Sequence, residues 1–142
     1  MAITKRGSAH WTGTLKEGKG TVSTGSGALK DNPYGFNTRF EDKPGTNPEE
    51  MIAAAHASCF SMALSMVLGQ HDVTAEAIDT KAAVKLEEKD GGFAVTASHL
   101  DVTIKAPGAD ESTLREAAEG AKQNCPISKL LNADITMDVT IA

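Results

Sequence analysis

Thr46-Asn-Pro-Glu-Glu-Met-Ile-Ala-Ala-Ala-His-Ala-Ser-Cys-Phe-Ser-Met-Ala-Leu-Ser-Met-Val-Leu-Gly69 is the stretch on which the fold turns. Asn47 can cap a helix, Pro48 suits its first position, and Glu50 stands three residues after the cap. The spacing predicts a helix from there to about Leu68, ended by Gly69. Met51, Ile52, Ala55, Cys59, Met62, Ala63 and Met66 recur at helical intervals, so Cys59 is expected in mid-helix on an apolar face.

Upstream, the first 46 residues are rich in Gly, Thr and Ser, with short apolar pieces around Ile3, Trp11, Leu15, Val22 and Phe36. They read as a meander of short strands, and residues 29–41 as a long loop with Arg39 near its end. Downstream, residues 70–79 form a connection, and residues 80–86 and 93–97 alternate as two strands joined through Asp90-Gly91-Gly92. Beyond Ser98 the apolar phase slips by one, to Leu100, Val102 and Ile104, which a bulge near His99 explains. The strand ends at Pro107-Gly108. A second helix from about Asp110 carries Leu114, Ala117, Ala118 and Ala121 on one face, with Cys125 continuing that face and Pro126 breaking it. A helical turn over 128–131 and a last strand through Ile135, Met137, Val139 and Ile141 complete the chain. Strands, helix, strands, helix, strand make the class α+β, in a single domain over residues 1–142.

Hydrophobic residues at 40% and charged residues at 23% suit a globular domain. Residues 1–10 lack the apolar run of a secretory signal, and no stretch is read as approaching a membrane span, so a cytoplasmic location with no membrane partner is expected. A net charge of −5 opposes nucleic-acid binding. His10, His56, His71 and His99 are scattered without paired spacing, so no metal site is expected.

Two cysteines, Cys59 and Cys125, are neither a disulfide scaffold nor a zinc set. In a reducing compartment they are packing or chemistry. Free cysteines are among the most buried residue types, which keeps packing open. Chemistry would need a thiolate, the form that attacks a peroxide, and a second thiol to capture the sulfenic acid. An apolar setting opposes the thiolate, so a cation is required, and Arg39 is the candidate. A carboxylate, Glu49 or Glu50, would orient its guanidinium. Solvation of Arg39 and simple helix capping by the glutamates are the alternatives. Glu49 and Cys59 lie ten residues apart on one expected helix, about 15 Å along its axis. Unless the helix starts later, the simplest way for them to share a site is for two subunits to contribute to it, which predicts a homodimer with composite sites.

Tyr34-Gly-Phe-Asn-Thr-Arg-Phe40, Gly45-Thr-Asn-Pro-Glu-Glu50, Ala53-Ala-Ala-His-Ala-Ser-Cys-Phe-Ser-Met-Ala-Leu64 and Cys125-Pro-Ile-Ser128 resemble the signatures of the OsmC/Ohr family. The likeness runs across essentially the whole chain. It implies an OsmC-like fold, with antiparallel sheets around a long central helix in an interlocked homodimer. It also implies a thiol-dependent peroxidase that reduces organic hydroperoxides and also hydrogen peroxide. Cys59 would be the attacking thiol, Cys125 the resolving one, and Arg39 and Glu49 their partners, with Arg6 the fallback arginine. A dithiol reductant, a dihydrolipoyl protein rather than thioredoxin, would restore the thiols. No cofactor is implied, because sulfur carries the redox change. Phe60, Met62 and Met66 would line an apolar pocket. A non-catalytic protein binding a hydrophobic ligand, or a redox sensor, is the rival reading.

Overall fold

Trp11, Gly20 and Tyr34 stand side by side on three neighbouring strands, and their stacking explains the first sheet. The structure, a computed structural model, describes residues 1–142. It divides into two compact bodies, residues 1–51 and 52–142.

In the first body, β1 (Gly7–Thr12), β2 (Lys19–Thr24) and β3 (Asn32–Tyr34) form an antiparallel meander in that order. Gly20 pairs with both Trp11 and Tyr34. The two rings lean together over it, 5.5 Å between centroids. A Cβ at Gly20 would lie 2.6 Å from carbons of both rings, so only glycine fits. The meander is as expected, but 29–41 is not an open loop. It contains β3 and a short helix, α1 (Phe36–Phe40). Thr38 closes that turn locally, accepting from the Gly35 N–H and donating to the Gly35 carbonyl, each at 3.0 Å.

The long helix α2 (Pro48–Gln70) starts where the sequence placed it and ends slightly later. It runs through Gly69 and stops where Asp72 takes a left-handed conformation at φ 57°, with the His71 and Val73 N–H groups both donating to the Leu68 carbonyl. Its buried face is not the one expected. His56, Phe60, Leu64 and Leu68 are buried, while Met62 and Met66 are 75% and 62% exposed. The reason is that α2 is apolar nearly all round, so periodicity does not choose a face. For the same reason α2 corrects the expectation that no stretch approaches a membrane span. Its most apolar 18-residue window reaches a mean hydropathy of 1.7, and the 23-residue helix is long and apolar enough to cross one by length and composition.

In the second body, β4 (Ala77–Lys89) and β5 (Gly92–Lys105) form a long antiparallel hairpin. Asp90 and Gly91 turn it, both with positive φ, as a two-residue hairpin loop requires. The register slips between Lys85 and Leu86, which pair with Ala97 and Val95. Thr96 is therefore the extra residue, and the bulge lies three positions before His99, where the phase change alone placed it. Helices α3 (Glu111–Asn124) and α4 (Pro126–Leu130) follow, then β6 (Asp134–Ile141). Antiparallel pairing holds for the first sheet and for the hairpin, but β6 departs from it and runs parallel to β5. The long connection through α3 and α4 brings the chain back to start β6 in the same direction as β5. The core joins Phe60, Leu64 and Leu68 of α2 with Leu100, Val102 and Ile104 of β5 and Leu114, Ala117, Ala118 and Ala121 of α3. Cys125 closes the alanine face of α3 as expected.

Candidate active site

Asn47 organises a charged cluster in the first body. Its Oδ1 accepts the Glu50 N–H at 2.8 Å, capping α2, while its Nδ2 donates to the Thr38 carbonyl at 3.1 Å. One side chain thus ties the end of α1 to the start of α2. Arg39, in the last turn of α1, faces Glu49 in the first turn of α2. The guanidinium donates from Nε to Oε1 at 2.8 Å and from Nη2 to Oε2 at 3.0 Å, a bidentate pair. Of the two glutamates considered, Glu49 is the partner of Arg39. The guanidinium also lies 5.4 Å from the Phe40 ring centre. Trp11, Leu15, Tyr34, Phe36 and Phe40 surround it with a cavity of about 200 Å³. This aromatic cavity differs from the pocket expected of Phe60, Met62 and Met66, because Phe60 is spent in the core and the two methionines face outward. Arg6, the fallback, is exposed at the first strand's edge, where its carbonyl accepts the Gly25 N–H.

The second pair is Cys59 and Cys125. Cys59 lies against the core to which Cys125 belongs, and both are free thiols. Cys59 is half-buried and packs against the core, whereas Cys125 is fully buried. Cys125 ends α3 and begins α4, with φ −54° and ψ 129° at the break that Pro126 enforces. Burial pushes the Cys59 thiol above its ordinary range, and a hydrogen bond with the Cys125 thiol pushes the same way. The Ile127 N–H, in the first turn of α4, donates to the Cys59 sulfur and pulls it back down.

His56, which the sequence left among unremarkable histidines, is completely buried one turn before Cys59. Its Nδ1 meets Ser98 Oγ and its Nε2 meets Ser128 Oγ, each at 2.7 Å. A neutral ring donates at one nitrogen and accepts at the other, so each serine hydroxyl has the ring as a partner, one donating and one accepting. Burial lowers the pKa of His56, which keeps it neutral. His99 stands beside two aspartates. Its Nε2 lies 3.1 Å from Asp138 and 3.6 Å from Asp101 on the outer face of β5 and β6. The donor atoms of these three residues lie within 4.8 Å of one another. Asp101 and Asp138 are cross-strand neighbours, a pairing hidden until the parallel register of β6 is known.

Two free thiols stand together in the α+β second body, and an arginine–carboxylate pair is oriented in the first. The OsmC family model, described as OsmC-like protein, matches residues 40–140. Peroxiredoxin OsmC of Escherichia coli (strain K12) is 55% identical over 138 residues, covering 97% of this chain and 96% of its own. Organic hydroperoxide resistance protein OhrB of Bacillus subtilis (strain 168) is 27% identical over 123 residues, covering 84% and 88%. The crystal structure of an organic hydroperoxide resistance protein OsmC from Legionella pneumophila aligns with a TM-score of 0.74 at 22% identity, covering 100% of this chain and 98% of the other. The chain belongs to the OsmC/Ohr family.

Proposed function

We propose that this protein is a hydroperoxide-reducing enzyme in which Cys59 attacks the peroxide and Cys125 resolves the product. The observation that carries this reading is the contact between a half-buried thiol and a fully buried one. Of the two, the half-buried Cys59 has the better access to a peroxide. Its thiolate takes one oxygen of the O–O bond and becomes a sulfenic acid, while the other oxygen leaves, with a proton, as alcohol. The Cys125 thiol then displaces water from the sulfenic sulfur to form the disulfide. A dithiol donor, such as a dihydrolipoyl protein, restores both thiols by exchange. The aromatic cavity beside Arg39 suits the apolar group of an organic hydroperoxide better than hydrogen peroxide.

Because burial opposes the Cys59 thiolate, a cation is needed beside it. Glu49 and Cys59 are ten residues apart on α2, about 15 Å by helical rise. The Arg39 and Glu49 pair of a second copy is therefore assigned to each Cys59, in a homodimer with composite sites. Exposed Met62 and Met66 give α2 an apolar face that a second copy would cover.

The test is one equivalent of cumene hydroperoxide added to reduced protein, followed by thiol titration and mass measurement. Loss of both thiols with a mass lower by about 2 Da is expected, as one disulfide requires. Retention of both thiols would count against the proposal.

A further inference from the structure

The buried histidine touches neither thiol, yet it connects the two segments that carry them. His56 lies three residues before Cys59 on α2, and Ser128 lies three residues after Cys125, in α4. The imidazole spans the space between these segments through Nε2 and Ser128 Oγ, and Nδ1 fastens the same ring to Ser98 on β5. Ring and hydroxyls are all sequestered, with His56 and Ser98 at 0% and Ser128 at 8% exposure. No buried side-chain nitrogen or oxygen lacks a partner, so this bridge is fully satisfied.

The residue next to Ser128 is Ile127, whose N–H donates to the Cys59 sulfur. We propose that His56 is a positioning residue that grips Ser128, and through it holds the Ile127 N–H against the Cys59 sulfur and Cys125 against Cys59. The inference rests on the peroxidase reading for its catalytic meaning, and on the hydrogen bonds alone for its geometry. Several features suit the part. A five-residue helix such as α4 cannot hold its place by its own backbone bonds. It follows a proline break, so an external anchor must fix its first turn. Ser128 is the residue of α4 that is buried, and its hydroxyl is bound by the ring. The N–H that α4 presents offsets part of the burial that opposes the thiolate. A hydrogen bond to a charged group is strong enough to move a titration by about one pH unit.

The test compares wild type with Ser128→Ala, Ser128→Thr, Ser98→Ala and His56→Ala, each in a Cys125→Ser background so that only Cys59 is read. The pH midpoint of Cys59 alkylation by iodoacetamide is measured first, then the rate of Cys59 oxidation by cumene hydroperoxide at pH 7. Ser128→Ala is expected to raise the midpoint by about one unit and slow oxidation about tenfold, as the thiolate fraction falls. Ser128→Thr, which keeps the hydroxyl, should restore both. Ser98→Ala loosens the ring from the sheet and should lower the melting temperature with a smaller midpoint change. A purely structural bridge would lower the melting temperature in both serine variants and move neither midpoint. Folded Ser128→Ala protein with the wild-type midpoint would overturn the proposal, even if His56→Ala fails to fold. Absence of peroxide oxidation in the Cys125→Ser parent would instead overturn the peroxidase reading, and the alkylation midpoints would still decide the role of His56.

Discussion

Glu49→Gln keeps the size of the side chain and removes its charge, so it isolates what the bidentate pair with Arg39 contributes. In the native chain two charge-assisted contacts of 2.8 and 3.0 Å hold the guanidinium. Gln offers one oxygen, so at best one weaker bond remains. The Arg39 side chain is 35% exposed and that of Glu49 13%, which places the pair between two regimes. Solvated pairs contribute about 0.2–1 kcal/mol, and breaking fully buried ones costs about 3–5 kcal/mol. The expected loss is about 1–1.5 kcal/mol, just above the surface range and well below the buried one, because the geometry is bidentate but Arg39 remains wetted. The effect on catalysis should be larger. A guanidinium that is free to swing no longer sits where a peroxide oxygen and a thiolate need it, and misplacement of about 1 Å can cost on the order of a hundredfold. A double-mutant cycle of Glu49→Gln, Arg39→Gln and both together, followed by urea unfolding at one protein concentration, measures the coupling. Cumene hydroperoxide kinetics on the same proteins should show kcat/KM reduced tenfold or more in each single variant, with little further loss in the double. Additive stability effects together with wild-type turnover in Glu49→Gln would refute this reasoning.

Acid should weaken the fold through His56. Burial holds its pKa below the ordinary value of about 6.5, so the unfolded chain binds the proton more readily than the folded one. The stabilisation is complete above about pH 6.5 and is lost progressively as pH falls from there through the lower folded-state pKa. Urea midpoints between pH 8 and 5 should therefore decline, and the decline should shrink in His56→Gln; an unchanged slope in that variant would assign it to other groups. On the exposed face of α2, Met62→Glu is expected to weaken the proposed homodimer with little loss of monomer stability, since the residue is 75% exposed. Sedimentation at micromolar concentration would show this, and an unaltered dimer would remove Met62 from the interface.

Local chemistry made parts of this fold readable. Asn47-Pro48 marks a helix start because a cap and a fixed φ act within one turn, and the cap bond is present. Asp90-Gly91 marks the hairpin because both positions need positive φ. Cys125-Pro126 marks a helix break, and the alternation of β6 shows which of its side chains turn inward. What stayed hidden depends on partners distant in sequence. The buried face of α2 was misread because Met62 and Leu64 are equally apolar in sequence and only packing separates them. Ser98 and Ser128 lie 42 and 72 residues from His56, so no local pattern distinguishes that histidine from His10 or His71. The parallel direction of β6 follows from where α3 and α4 deliver the chain, and the grouping of Asp101 with Asp138 follows from it. The bulge was sensed as a slip of phase, but its position at Thr96 required the pairing of β4 with β5. Within the site, residue types suggested arginine with a glutamate and one cysteine with the other. The family resemblance already implied Glu49 over Glu50, and the bidentate pair bears that out; the contact between the thiols required the fold.

The central claim is that Cys59 and Cys125 turn over peroxide as an attacking and a resolving thiol. Steady-state reduction of cumene hydroperoxide with a dithiol donor, in wild type, Cys59→Ser and Cys125→Ser, tests it most directly. Turnover should vanish in Cys59→Ser, while Cys125→Ser should complete one oxidation and then stall unless an outside thiol resolves it. Equal, negligible turnover in all three proteins would contradict the account.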